Sequence, residues 1–378
     1  MKDLKEPEGE SGIGRRVFMK IGAGAGGAGA LIASLPATLA AEEKCVDWWD
    51  AQPGKAGVGK LAGIDCHAHW SPTAYNKART DLGHSIETPY VLDYDLAKRV
   101  EWMDQHGILM HCLTLSGQMP WQWTTPEQGA HLARIINDLG IEAHLKYPDR
   151  FVVGVELPIR DPQLALEELN RVAGKPGVRA VHLPDAMARH DYLFDANFPP
   201  VLARIEELGY PILFHQMDGI ENAYGGELAD GPKYLSSGLD AAIQHTILAS
   251  KLITSGTLDR HPKLEIVLPH AGGAFPYLAG RVDHFINHFN GPGTKPQFQL
   301  AMPFRNYLRR FHYDYLIYYP EAFRFLLGLV GPDRIVIGTD LFAAKDIQYP
   351  NDVLDQFDLS PENRDRILSG NAKRLMHM

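Results

Sequence analysis

The chain has 378 residues, 45% of them apolar and 22% charged, a folded globular composition that argues against a disordered or low-complexity protein. A net charge of -9, with no dominant basic stretch, argues against a nucleic-acid partner. Three cysteines are too few for a disulfide framework.

In chain order, the first element is a targeting segment. Arg15-Arg16-Val17-Phe18-Met19-Lys20 precedes a Gly/Ala-rich, mildly apolar stretch from Ile21 to Ala41, with small residues at Thr38-Leu39-Ala40. This pattern predicts a signal peptide over residues 1–41, and the paired arginines with Phe18 and Lys20 resemble a twin-arginine export signal. The mature protein is then expected to be periplasmic, exported already folded and with its metal loaded. The alternative is an uncleaved membrane anchor, which the many glycines and few strong hydrophobes disfavour. Residues 42–60 read as an irregular lead-in, and Cys45 has no assigned role.

From residue 61 to 378, short apolar runs alternate with amphipathic segments. The runs are Leu61–Cys66, Ile108–Thr114, Phe151–Glu156, Val178–Leu183, Pro211–Phe214, Leu264–Pro269, Phe311–Tyr315 and Arg334–Thr339. Helical patterns lie at Asp95–His106, Gly129–Lys146, Pro162–Ala173, Pro199–Leu208 and Phe275–Phe289. Repeated β-then-α alternation means parallel strands with crossover helices, and eight units predict one (β/α)8 barrel domain. Cys66 and Cys112, inside two of the runs, read as buried thiols. The longest irregular stretch, Gln216–Leu235, follows the fifth run and reads as a loop over the active site.

The informative feature among 17 histidines is position. His67 and His69 end the first run, and residues two apart on an extended chain point the same way. His215 ends the fifth run and Asp340 follows the eighth, on the face where a barrel gathers its chemistry. Each signal alone has an ordinary reading: polar residues at a strand end, a satisfied core histidine, a helix N-cap at Asp340. Together, three imidazoles and a carboxylate suit zinc or another borderline divalent ion, with a position left for water. His270, after the sixth run and before Gly272-Gly273, is placed to orient or deprotonate a metal-bound water; the alternative is a structural histidine. Arg281 reads either as a partner for a substrate carboxylate or as a surface arginine.

These residues carry a resemblance. His67-Ala68-His69, His215, His270-Ala271-Gly272-Gly273-Ala274-Phe275-Pro276 through Arg281, Gly338-Thr339-Asp340 and Gly370-Asn371-Ala372 resemble the amidohydrolase-related family of aminocarboxymuconate semialdehyde decarboxylase. The resemblance runs from about Leu61 to the C-terminus. It implies a distorted zinc barrel catalysing non-oxidative decarboxylation, with some relatives acting as hydrolases. It further implies His67, His69, His215 and Asp340 as ligands and His270 as the base. Arg281 would reach the carboxylate in a neighbouring subunit's site, which requires a homodimer. The family's other substrate arginine lies in the segment corresponding to Trp70–Tyr94, where the only arginine of this chain is Arg79, which does not align with it.

The expected activity is therefore decarboxylation of an unsaturated or aromatic carboxylic acid, with His270 and Asp340 handling protons. The rivals are hydrolysis of a lactone, amide or related bond on the same ligands, and a non-catalytic barrel.

Overall fold

The computed structural model describes residues 61–85, 90–187, 190–217, 235–288, 299–341 and 349–378. The expected signal peptide, the lead-in, Cys45 and most of the Gln216–Leu235 loop lie outside the described residues.

Eight apolar runs become eight parallel strands in one sheet, ordered as in the sequence. They are β1 (Gly63–His69), β2 (Ile108–Thr114), β3 (Phe151–Glu156), β4 (Val178–Pro184), β5 (Ile212–His215), β6 (Ile266–Leu268), β7 (Phe311–Asp314) and β8 (Ile335–Val336). β1, β3 and β5 are buried along their whole length, as expected when helices cover one face of a parallel sheet and side chains fill the other. Bridges from Asp65 to Ile337 and from Ala68 to Leu341 bring the last strand back to the first. The result is a (β/α)8 barrel. Cys66 and Cys112 are free and buried, as their runs imply.

The connecting helices are α1 (Thr73–Asp81), α2 (Leu96–Gln105), α3 (Pro126–Lys146), α4 (Pro162–Val172), α5 (Pro199–Leu208), α6 (Ala241–Thr254), α7 (Phe275–His288) and α8 (Pro320–Val330). Their starts are set by local chemistry. Thr125 and Gln128 cap each other's backbone ahead of α3, and Pro126 supplies a preset first turn, so this helix begins three residues before its periodic pattern. The Asp161 carboxylate accepts from Gln163 and Leu164 backbone N–H groups at the start of α4. At the other end of the chain, Asn371 donates to the Pro332 and Ile335 carbonyls at 2.8 and 2.7 Å, tying the terminal segment to the start of β8. Among the described residues no helix is long and apolar enough to cross a membrane.

Two glycines let the backbone close in on one end of the barrel. A Cβ on Gly338 would stand 2.6 Å from Asp314 Cβ and 2.9 Å from His67 Cβ. At Gly273, with φ of 62°, a Cβ would stand 2.0 Å from the Ala242 carbonyl oxygen at the start of α6. Any side chain at either position would push apart the elements that carry the polar groups described next.

Candidate active site

At the C-terminal ends of the strands the apolar runs give way to polar side chains. His67 and His69 come from β1 and His215 from the end of β5. His270 follows β6 by two residues, Asp314 ends β7, and Asp340 lies four residues past β8. The rings of His67, His69 and His215 stand edge to face, with centroids 4.5 to 5.1 Å apart. The His270 centroid lies 5.1 Å from that of His67 and 5.8 Å from that of His215. Asp340 joins the group from the other side. Its Oδ1 lies 3.0 Å from His69 Nε2 and 3.3 Å from His67 Nε2, and its Oδ2 lies 3.4 Å from His270 Nε2.

Ligand atoms of His67, His215, His270 and Asp340 all lie within 4.8 Å of one another. His69 reaches this group through Asp340. All five expected residues thus meet, and distance alone does not divide them into ligands and a base. Exposure does separate one of them. The His270 side chain is 16% exposed, against 7% for His67 and 5% for His69, so His270 stands on the open side.

Whether this group suits a cation can be judged from its own bonds. His67 Nδ1 is paired with the Asp314 carboxylate at 2.8 Å, and His215 Nδ1 donates to the Gln216 carbonyl at 2.7 Å. Both acceptors lack protons, so each ring carries its hydrogen on Nδ1 and can turn an Nε2 lone pair inward. Both Nε2 atoms are buried with no hydrogen-bond partner. Buried imidazole nitrogens left unpaired beside a carboxylate are what a divalent metal satisfies.

The electrostatics point the same way. Burial opposes a charge on His67, but Asp340 and Asp314 outweigh it and push its pKa up to about 10. The acidic groups therefore demand a positive charge at this point. Burial would raise the Asp340 carboxyl, yet the charge on His67 and close contact with the His270, His67 and His69 rings hold it well below the usual range. His69 is pulled down to about 4 by burial, against Asp340, and His215 falls well below its ordinary value for the same reason. Two neutral imidazoles, one cation-demanding position and an ionised carboxylate form a consistent metal-type donor set.

The backbone at the two groups expected to handle protons is left-handed, with φ of 50° at His270, 55° at Ala271 and 53° at Asp340. Such conformations cost roughly 1–3 kcal/mol each and persist only where surrounding bonds enforce them. Asp314 supplies much of that enforcement. Its carboxylate accepts from the His270 and Ala271 backbone N–H groups at 3.0 and 2.8 Å, in addition to the His67 ring. The Asp340 N–H donates to the His67 carbonyl at 2.9 Å. Asp340 was equally readable as a helix cap; its side chain instead turns into the histidine group.

Asp314 was missed in the sequence because it lies inside the apolar run Phe311–Tyr315, between two tyrosines, and reads as strand. Three further acid–imidazole contacts were missed with it. Glu156 pairs with His182 Nδ1 at 2.6 Å, leaving His182 Nε2 buried and without a hydrogen-bond partner near the His215 ring. Asp185 pairs with His245, and His245 in turn with His270. Asp65 receives the Thr339 hydroxyl at 2.5 Å and faces His111 Nε2 at 3.7 Å; burial raises its pKa to about 6.

The two arginines lie elsewhere. Arg281 is exposed on α7 with its guanidinium 4.7 Å from the Phe285 ring, and is not among the residues gathered at the histidine group. Arg79 is buried on α1, donating to the Gln118 carbonyl at 2.6 Å and lying beside the Tyr75 and Trp123 rings.

A barrel of this kind, with imidazoles and carboxylates gathered at its C-terminal strand ends around a cation-demanding point, defines a metal-dependent enzyme of the amidohydrolase class. The chain belongs to the amidohydrolase family, whose model matches residues 64–377. It is 28% identical over 291 residues to the gamma-resorcylate decarboxylase of Rhizobium sp. strain MTP-10005, covering 74% of this chain and 86% of that protein. It is 24% identical over 337 residues to the 2-amino-3-carboxymuconate-6-semialdehyde decarboxylase of Dictyostelium discoideum, covering 82% and 90%. Among solved structures it is similar to the dihydroxybenzoic acid decarboxylase of Polaromonas sp. JS666, with bound manganese and the inhibitor 2-nitroresorcinol. That match has a TM-score of 0.71 at 22% identity, covering 84% of this chain and 97% of the other.

Proposed function

We propose that this protein is a metal-dependent, non-oxidative decarboxylase of an aromatic or unsaturated carboxylic acid. The observation that carries the reading is the group of His67, His69, His215 and Asp340, with His270 on its open side. The decarboxylases among its relatives supply the reaction class. We assign zinc as the metal, because three imidazoles and one carboxylate suit it; the manganese in the Polaromonas structure makes manganese the competing occupant. When bound, a divalent cation would hold and polarise the substrate's oxygens.

The chain's own residues account for the rest. In decarboxylation the bond between carboxylate carbon and substrate carbon breaks, and its electron pair stays on the substrate carbon. A proton replaces carbon dioxide there. His270 Nε2, on the open side and facing the ionised Asp340 carboxylate, is placed to deliver that proton, with Asp340 stabilising the protonated ring beforehand. Asp314 fixes both the His67 ring and the strained backbone of His270, so the geometry is set before substrate arrives. The test is incubation of metal-loaded protein with hydroxybenzoic and dienoic acids and with matching esters and lactones. Release of carbon dioxide from an acid supports the reading. Ester or lactone hydrolysis without it assigns the hydrolase instead.

The same reading includes a homodimer in which Arg281 holds a carboxylate in the partner's site. Tyr277, Arg281 and Phe285 recur every four residues on the exposed side of α7, with Tyr277 78% exposed and in ring contact with Phe325 on α8. An aromatic patch of this kind around an arginine suits a second copy of the chain. A charge-assisted pair is worth roughly 1.5–3 kcal/mol, so Arg281→Ala is expected to lower kcat/KM for acids by about 10–150-fold. Neutral esters should be affected little. Mixing Arg281→Ala with His67→Ala chains should restore part of the activity, since one mixed site keeps both intact parts. A fully active monomer, or unchanged kinetics in Arg281→Ala, contradicts this arrangement.

A further inference from the structure

The barrel closes on a very short strand. β8 spans Ile335–Val336, and past it the pairing with β1 is reduced to the isolated bridges from Asp65 to Ile337 and from Ala68 to Leu341. A fully buried carboxylate takes over where the ladder stops. Asp65 Oδ1 accepts from the His67 N–H at 2.9 Å and from the Thr339 N–H at 3.2 Å, and Oδ2 accepts from the Thr339 hydroxyl at 2.5 Å. One side chain thus ties the backbone of His67 to that of the residue just before Asp340. The Asp340 N–H closes the loop on the His67 carbonyl at 2.9 Å.

His69 is held from the opposite side. Arg99, on α2 and fully buried, donates from Nη1 to the His69 carbonyl at 2.7 Å and from Nε to His111 Nδ1 at 3.0 Å. A guanidinium only donates, so His111 accepts at Nδ1 and turns its Nε2 toward Asp65, 3.7 Å away. Carboxylates and guanidiniums are seldom fully buried unless each meets specific partners. What Asp65 and Arg99 meet is the backbone of the segments that carry the metal-type side chains. Asp340 has the greatest need of such bonds, because its φ of 53° is left-handed and must be enforced from outside.

We propose that Asp65, Thr339 and Arg99 are positioning residues, a clasp across the closing seam of the barrel that holds His67, His69 and Asp340 at ligand spacing before a cation arrives. They act through backbone atoms, so they set where the ligands stand. The proposal rests on the metal-dependent reading of the site, and not on which reaction it catalyses. A frame completed in advance leaves less ordering to be done when the ion binds, and so raises affinity.

The test uses the full-length protein loaded with zinc or with cobalt. Thr339→Val keeps the shape and the backbone N–H but removes the hydroxyl bond to Asp65, whereas Thr339→Ser keeps that bond. Arg99→Lys keeps the charge but has one nitrogen where the guanidinium uses two. We expect zinc affinity, measured against a competing chelator, to fall about 10–100-fold in Thr339→Val and in Arg99→Lys. In Thr339→Ser it should stay within about threefold of native. The visible spectrum of bound cobalt should shift in the two weakened variants and match the native one in Thr339→Ser. Loss of packing alone would lower the melting temperature and leave affinity and spectrum unchanged in the folded protein. A further measurement needs no variant to fold. In the native protein, amide exchange at His67, Thr339 and Asp340 should be slow without metal, within about tenfold of its rate with zinc bound. A folded Thr339→Val protein with native zinc affinity and cobalt spectrum overturns the proposal. So does a Thr339→Ser protein as weak as Thr339→Val, or protection of the three amides only when zinc is bound. A native protein that takes up no divalent metal refutes the metal-dependent reading instead, and amide exchange then decides the clasp alone.

Discussion

Replacing His67 and His215 together by alanine is expected to leave a folded barrel that retains less than about a tenth of an equivalent of divalent metal, where the native chain binds about one. These two rings are the choice because each is oriented by an acceptor at Nδ1 and turns a buried, unpaired Nε2 inward. Loss of a single outer hydrogen-bonding partner typically weakens a metal site by about 10–100-fold, and loss of two ligands should exceed that. Decarboxylation should fall to background and should not return when metal is added in excess. The folded state itself should survive, because the apolar core lies around the barrel and beneath its helices rather than at the histidine group. Metal analysis with circular dichroism on the same samples checks both halves. Full metal content in the double variant would remove both rings from the ligand set.

His270→Ala is expected to behave differently, keeping its metal and losing about 100- to 10,000-fold in kcat, the usual contribution of a positioned acid–base group. The contrast is informative because ligand atoms of His270 lie within 4.8 Å of those of His67, His215 and Asp340. Geometry alone would allow His270 a place among the ligands. Its greater exposure, and an Nε2 that pairs with Asp340 where those of His67 and His215 make no hydrogen bond, argue for the proton-handling role. A variant that arrives metal-free would move His270 into the ligand set and leave His69, which meets the group through Asp340, as the ring outside it. Near-native turnover would leave His270 with neither role.

The barrel was largely legible in the sequence because its strands are buried on both faces and so read as continuous apolar runs. The ends were less so. The run Arg334–Thr339 yields a strand only over Ile335–Val336, since the chain beyond it turns inward at Gly338 to deliver Asp340. α3 begins at Pro126 rather than Gly129, because its start is set by a reciprocal cap and a proline rather than by apolar spacing. Of the site, the groups visible in the sequence are those that interrupt an apolar run at its end, as His67, His215 and Asp340 do. Asp314 was hidden by tyrosines on both sides, and Asp185 by its place in an ordinary-looking turn. His245 lies on the buried side of a helix, where a single histidine is indistinguishable from core. Only packing of α6 on the Gly273 turn brings it to His270, and no local pattern encodes that contact.

Loss of carbon dioxide from a carboxylic acid held at this histidine group can be followed directly. Metal-loaded enzyme is incubated in deuterium oxide with 2,6-dihydroxybenzoate and related acids labelled with carbon-13 in the carboxyl group. The predicted result is labelled carbon dioxide from at least one acid, with deuterium at the vacated carbon and no consumption of oxygen. Retention of the label in every acid, alongside metal-dependent cleavage of an ester or lactone, would contradict it.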